Sequence, residues 1–202
     1  MQDHLTRDPS PGDLPRGFAL FDTAIGRCGI AWNDRGVTRI VLPEASDAAT
    51  RRRLTPGAPG AAEAPPPPAV AAAIALIASH VRGEPAALET IVLDMDGVPA
   101  FHRQVYDAAR QIPRGQTVSY GDLARTLGKP GAARAIGQAM GANPFPIVVP
   151  CHRVLAAHRA TGGFSAHGGV ETKARLLAAE GVRLALQPEL PFAAPPSPRR
   201  TR

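Results

Sequence analysis

Cys151 is the residue in this chain best placed to do chemistry. It lies in the run Pro150-Cys151-His152-Arg153-Val154, directly after the apolar stretch Ile147-Val148-Val149, which reads as a short strand. A free thiol with a pKa of about 8.5 is mostly protonated at neutral pH, yet the thiolate is the effective nucleophile. An imidazole in the next position can take the thiol proton, directly or through a water. The tripeptide alone also fits a buried cysteine followed by an exposed histidine. The second cysteine, Cys28, sits in Cys28-Gly29-Ile30-Ala31-Trp32 and reads as a small core residue. No CxxC or Cys/His finger spacing accompanies either one, so neither a metal site nor a cofactor is expected. A reducing cytosol would leave both as thiols.

Two units must position that cysteine. Residues 17–43 read as a hairpin, with β-leaning runs at Phe18–Phe21 and Gly29–Trp32, a turn at Asn33-Asp34-Arg35-Gly36, and Val37–Leu42 beyond it. Thr55–Pro68 is rich in proline and reads as an exposed connection. Ala69–Val81 carries Val70, Ile74, Ile77 and Val81 at helical spacing, and Ile91–Leu93 reads as a further strand. An α+β N-terminal domain is therefore expected over residues 17–96, following a flexible terminus at 1–16.

From Pro99 the texture turns helical, and a second domain is expected over 97–186. Phe101, Val105 and Ala108 would share one face of a helix that ends at Ile112-Pro113-Arg114-Gly115. Ser119-Tyr120-Gly121-Asp122 can cap a short helix to Leu127, and Pro130 suits the opening of a third helix, Ala132–Gly141. A short helix, a glycine turn and a second short helix fit a helix-turn-helix, although pattern alone does not separate it from another αα-hairpin. Thr172–Glu180 should form a last helix with Leu176 and Leu177 inward, and 187–202 reads as a disordered basic tail.

The chain carries a formal net charge of +6. The excess lies beyond residue 100, which favours an anionic partner, although a solvated basic face would look the same. No apolar run approaches the roughly 20 residues needed to span a bilayer, and the polar N-terminus has no secretory h-region. A cytoplasmic location follows by default.

One set of motifs resolves these open readings. Ser119-Tyr120, Ala133-Arg134-Ala135, Asn143-Pro144, Pro150-Cys151-His152-Arg153-Val154, Gly162-Gly163-Phe164-Ser165 and Leu176-Leu177-Ala178-Ala179-Glu180-Gly181 closely resemble the O6-alkylguanine-DNA alkyltransferase family. The resemblance runs from about Phe101 to Val182; the N-terminal part is similar only loosely, through Thr23-Ala24-Ile25-Gly26 and the hairpin after it. It implies that Cys151 accepts the alkyl group once and irreversibly, with His152 as base and Glu180 as its orienting carboxylate. It further implies that Tyr120 and the Ser165 N–H donate to the guanine, and that Asn143 braces the turn before the cysteine. Arg134 would fill the space left by a flipped nucleotide. Ser119, Ala133, Ala135, Gly137, Phe164 and Arg153 would line the DNA or substrate, with the helix in the minor groove of double-stranded DNA. The small residues of that helix are equally compatible with close packing against another helix. The family works as monomers.

The sequence departs from the family pattern in three places. Phe164 stands where many members have tyrosine, which removes a hydroxyl but keeps the ring. Ala166-His167-Gly168-Gly169 looks slightly long, and His167 is not a catalytic candidate. The absence of an N-terminal cysteine cluster argues against the zinc-bound, phosphotriester-sensing domain of some bacterial relatives. Two other functions are compatible with parts of the chain. A non-catalytic damage-recognition protein of the alkyltransferase-like kind would have another residue in place of Cys151. A plain helix-turn-helix regulator gives no reason for the cysteine motif or Glu180.

Overall fold

The computed structural model describes residues 16–54, 61–156 and 168–182. The expectations for the two termini, for Thr55–Gly60, and for Phe164, Ser165 and His167 lie outside the described residues.

The N-terminal unit is built on β1 (Gly17–Thr23), β2 (Gly26–Asn33) and β3 (Gly36–Val41), an antiparallel meander with two tight turns rather than one hairpin. Gly26 and Gly36 follow those turns at positive φ, which glycine adopts without steric cost. Side chains alternate across the sheet. Ala19, Phe21, Ile30 and Trp32 join the main core, while Phe18, Ala31 and Val41 form a second cluster with Leu54.

Leu54 belongs to α1 (Asp47–Leu54), a helix the sequence does not announce. Only Thr50 and Leu54 of it are buried, so its apolar pattern is a single i, i+4 pair. It comes so close to the sheet that a Cβ at Gly29 would lie 2.6 Å from Leu54 Cδ1. The proline-rich connection also holds structure at its end: β4 (Ala62–Glu63) pairs parallel with β1, and Ala64 N–H donates to Phe18 O at 3.0 Å. Helix α2 (Pro68–Val81) follows, with Val70, Ala73, Ile77, His80 and Val81 buried. Ile91–Leu93 is not a strand. Leu88–Thr90 forms a 3-10 turn, and only Leu93 makes an isolated bridge to Val37 before the Asp94–Gly97 turn carries the chain away.

In the C-terminal unit α3 (Ala100–Arg110) buries Val105, Tyr106 and Ala109. The expected Phe101 and Ala108 are partly buried against the same core as Val105, and the Tyr106 hydroxyl donates to Ala139 O at 2.9 Å. β5 (Val118–Ser119) leads into α4 (Tyr120–Thr126), whose cap is reciprocal. Asp122 N–H donates to Ser119 Oγ, and Ser119 N–H and Oγ–H donate to Asp122 Oδ2. Helix α5 (Ala133–Gly141) completes a helix-turn-helix, burying Ile136, Ala139 and Met140. Ile147-Val148-Val149 is buried but is a turn closed by a Pro146–Val149 bridge, not a strand. A 3-10 turn at Cys151–Arg153 follows, then β6 (Val154–Leu155), parallel to β5, and finally α6 (Gly169–Ala179). No helix among the described residues is long and apolar enough to cross a membrane.

Candidate active site

Cys151 opens its 3-10 turn at the end of a strained segment. Ile147 has φ 75°, a costly conformation for a β-branched residue. Asn143 holds the segment in that shape: its Nδ2 donates to Val149 O at 3.0 Å, and its Oδ1 accepts from Phe145 N–H at 2.9 Å. The same side chain reaches the thiol. Burial pushes the Cys151 thiol above its ordinary pKa; the Asn143 hydrogen bond and the charge of Lys173 oppose that rise.

Behind the cysteine, Glu180 is buried and surrounded by donors. Its Oε1 accepts from His152 Nε2 at 2.8 Å, His80 Nε2 at 2.9 Å and Arg153 Nη2 at 2.8 Å, while its Oε2 accepts from Arg153 Nε at 2.9 Å. Burial alone would raise this carboxyl, but the bonds from His152, His80 and Arg153 hold it far below the usual carboxylate range. Glu180 is therefore ionised and can only accept, so the ring proton of His152 sits on Nε2. Its buried Nδ1, which has no partner among the described residues, is then a bare lone pair. Burial also pushes His152 below its ordinary pKa, despite Glu180. The outcome is a neutral base, one residue along the chain from a neutral thiol.

Two other polar groups approach the thiol. Lys173 is completely buried on α6 and donates from Nζ to Val154 O at 2.8 Å. Tyr120, half-buried at the start of α4, has its phenol held above the ordinary pKa by burial and by Cys151, so it stays protonated and can donate. On α5, Arg134 is exposed and Ala133, Ala135 and Gly137 are half-buried. A Cβ on Gly137 would meet Tyr120 Cε1 at an ordinary 3.9 Å, and one on Gly141 would meet nothing within 4 Å. Packing among the described residues therefore does not require these two to be small.

Cys151, His152, Glu180, Asn143 and Tyr120 thus come together. Arg153, expected at the DNA or substrate, instead turns inward. It pairs with Glu180 and donates from Nη1 to Ile112 O at 2.5 Å, because a buried carboxylate needs a matched cation. The Ser119 hydroxyl is taken up by its helix cap. Lys173 and His80 are absent from the sequence reading. Lys173 stands at i−3, i−4 and i−7 from Leu176, Leu177 and Glu180, which places it on the buried face of that helix, and His80 lies three residues beyond Ile77 on another. His80, His152 and Glu180 present ligand atoms within 4.8 Å of one another. A divalent ion there would break two hydrogen bonds and sit beside the Arg153 guanidinium, so the trio reads as a hydrogen-bond network.

Fold and site together place a buried cysteine next to a hydrogen-bonded His–Glu pair, mounted against a helix-turn-helix. A family model described as the DNA binding domain of 6-O-methylguanine DNA methyltransferase matches residues 100–182. The methylated-DNA–protein-cysteine methyltransferase of Mycolicibacterium paratuberculosis is 37% identical over 163 residues, covering 81% of this chain and 91% of that protein. The crystal structure of Mycobacterium tuberculosis OGT in complex with DNA superposes with a TM-score of 0.66 at 31% identity, covering 84% of this chain and 96% of that one. Regulatory protein ada of Salmonella typhimurium is 41% identical over 169 residues, but the chain spans only 45% of its length. The chain belongs to the methylated-DNA–protein-cysteine methyltransferase family.

Proposed function

We propose that this protein repairs alkylated DNA by moving an alkyl group from O6 of guanine onto Cys151, once per molecule. The observation that carries the reading is the buried Cys151, His152 and Glu180 gathered beside the helix-turn-helix, with half-buried Asn143 bonded to the thiol and His152 bonded to Glu180. The thiol proton passes to His152 Nδ1 through a water, since no direct bond joins the two. The thiolate attacks the alkyl carbon in line, the carbon–O6 bond breaks, and its electron pair leaves on guanine, which Tyr120 protonates; the proton that His152 took returns to Tyr120 through solvent. The thioether formed is not a leaving group, so turnover ends there.

Double-stranded DNA is the partner that fits best. The relative from M. tuberculosis is solved in complex with DNA, and α5 presents an exposed Arg134 together with two glycines, Gly137 and Gly141, whose smallness packing among the described residues does not demand. We assign α5 to the minor groove, about 6 Å wide, with Arg134 occupying the space of the flipped nucleotide. Phe164 and the Ser165 N–H complete the base pocket in this reading, and the protein acts as a monomer in the cytosol. The intact Cys151 favours transfer over damage recognition without chemistry.

Mass spectrometry tests the reading directly. Incubation with duplex DNA containing O6-methylguanine should add about 14 Da, one methyl as a thioether, to the peptide bearing Cys151. Cys151→Ala should take up no methyl and still bind the duplex. Stoichiometric uptake by that variant, or several turnovers by the wild type, would refute the assignment.

A further inference from the structure

The carboxylate that orients His152 also takes a bond from the N-terminal unit. His80, near the end of α2, is 3% exposed, and its Nε2 lies 2.9 Å from the same Oε1 of Glu180 that His152 uses. Because the ionised carboxylate only accepts, His80 must also be protonated on Nε2. Its Nδ1 is buried without a partner among the described residues. The cavity beside it, about 280 Å3, is lined by the charged groups Glu89, Arg110, Arg114 and Arg153. Of these, Arg153 is bound to Glu180, Arg114 donates to Gly83 O and to Ala179 O, and Arg110 donates to Glu89 O. The group bonded to the His80 ring is Glu180, whose carboxylate also holds His152 and Arg153.

We propose that His80 is a positioning residue for the transfer. By donating to Oε1 of Glu180 it fixes the oxygen that His152 also needs, and so keeps His152 neutral, with its proton on Nε2 and its Nδ1 free for the Cys151 proton. Glu180 and Arg153 already balance in charge. A proton added to His152 would place an unmatched cation in a buried site, and His80, bonded to the same oxygen, leaves less of the carboxylate to hold it. The N-terminal unit thereby supplies a working part of a site whose other residues all lie beyond residue 100. This role rests on the alkyl-transfer reading, but part of its test does not.

Three measurements on the full chain decide it. First, 15N-histidine spectra of the wild type should show both rings carrying a proton on Nε2, and His152 bare on Nδ1; a His80 bare on Nε2 would overturn the proposal whatever the variants do. Second, His80→Leu should slow single-turnover methyl transfer by about tenfold, the effect of one pK unit on the base. DNA affinity should be unchanged, and the acid limb of the rate profile should move to higher pH. His80→Gln, which keeps a donor near the Nε2 position, should recover most of the rate. A Leu variant with the wild-type rate and profile, or a Gln variant as slow as Leu, would refute the role. Third, iodoacetamide labelling of Cys151 without DNA should shift its pH midpoint in His80→Leu and not in His80→Gln. If the wild type takes up no methyl but the midpoint still responds in this way, the transfer reading fails and the positioning role stands.

Discussion

The chemical problem at Cys151 is that burial favours the neutral thiol while displacement needs the thiolate. Three neighbours oppose the burial: Asn143 through a side-chain hydrogen bond, Lys173 through its charge, and His152 through its backbone. Of these, Lys173 is the one whose contribution is purely electrostatic. Its own pKa is pushed down by burial, with Cys151 drawing it back up, so cation and incipient thiolate stabilise each other. Lys173→Met keeps the length and apolar stem but removes the charge. It should raise the pH midpoint of iodoacetamide labelling at Cys151 by about one unit and slow methyl transfer about tenfold at neutral pH. It should also cost about 1–3 kcal/mol of stability, because Val154 O loses its donor. An unchanged labelling midpoint would remove Lys173 from the chemistry.

At the level of elements, α5 faces two ways. Ile136, Ala139 and Met140 bind it to the core, with Tyr106 clamping its backbone from α3, while Arg134 and Gln138 stay exposed one turn apart. Arg134→Ala should therefore leave the fold and the thiol untouched and act only on a duplex. Transfer from O6-methylguanine DNA should fall by at least tenfold, whereas reaction with free O6-benzylguanine stays near wild type, since no nucleotide has to be held out of a stack. Equal losses on the two substrates would contradict this placement of Arg134. Much of this level was legible in the sequence, because caps and glycine turns are local: Ser119 with Asp122, and the break at Gly128–Gly131, set the bounds of α4 and α5. What was not legible depends on partners distant in the chain. Helix α1 owes its place to a glycine across the sheet and β4 to pairing with β1. An apolar triplet such as Ile147-Val148-Val149 has no period that separates a strand from a buried turn. Arg153 misled for the same reason: its partner Glu180 lies on another element, so a basic residue beside the nucleophile looked like a DNA contact.

For the molecule as a whole, the main core runs without a break from the sheet through α2 to the C-terminal helices, with Ile30, Ile77, Val105, Phe145 and Leu176 in one cluster. The two units are further tied by Ile40 N–H to Pro144 O at 2.8 Å, and by His80 to Glu180. Heat should therefore unfold the described residues in one transition, and its pH dependence should report on the buried network. The unfolded chain binds a proton at His152 below about pH 6.5, whereas the folded chain resists it because burial lowers that pKa. The unfolded state thus holds more protons, and stability declines as the pH falls through this window. Glu180 acts in the same direction. Its folded pKa is depressed, so its contribution is fully present above the unfolded value of about 4.3 and is lost as the pH falls from there toward the folded value. Calorimetry should accordingly find a single transition whose Tm is highest near neutral pH, declines below about 6.5 and drops more steeply below about 4.5. A Tm that holds constant from pH 7 to 4, or two separate transitions, would show that the relay is not part of the cooperative core.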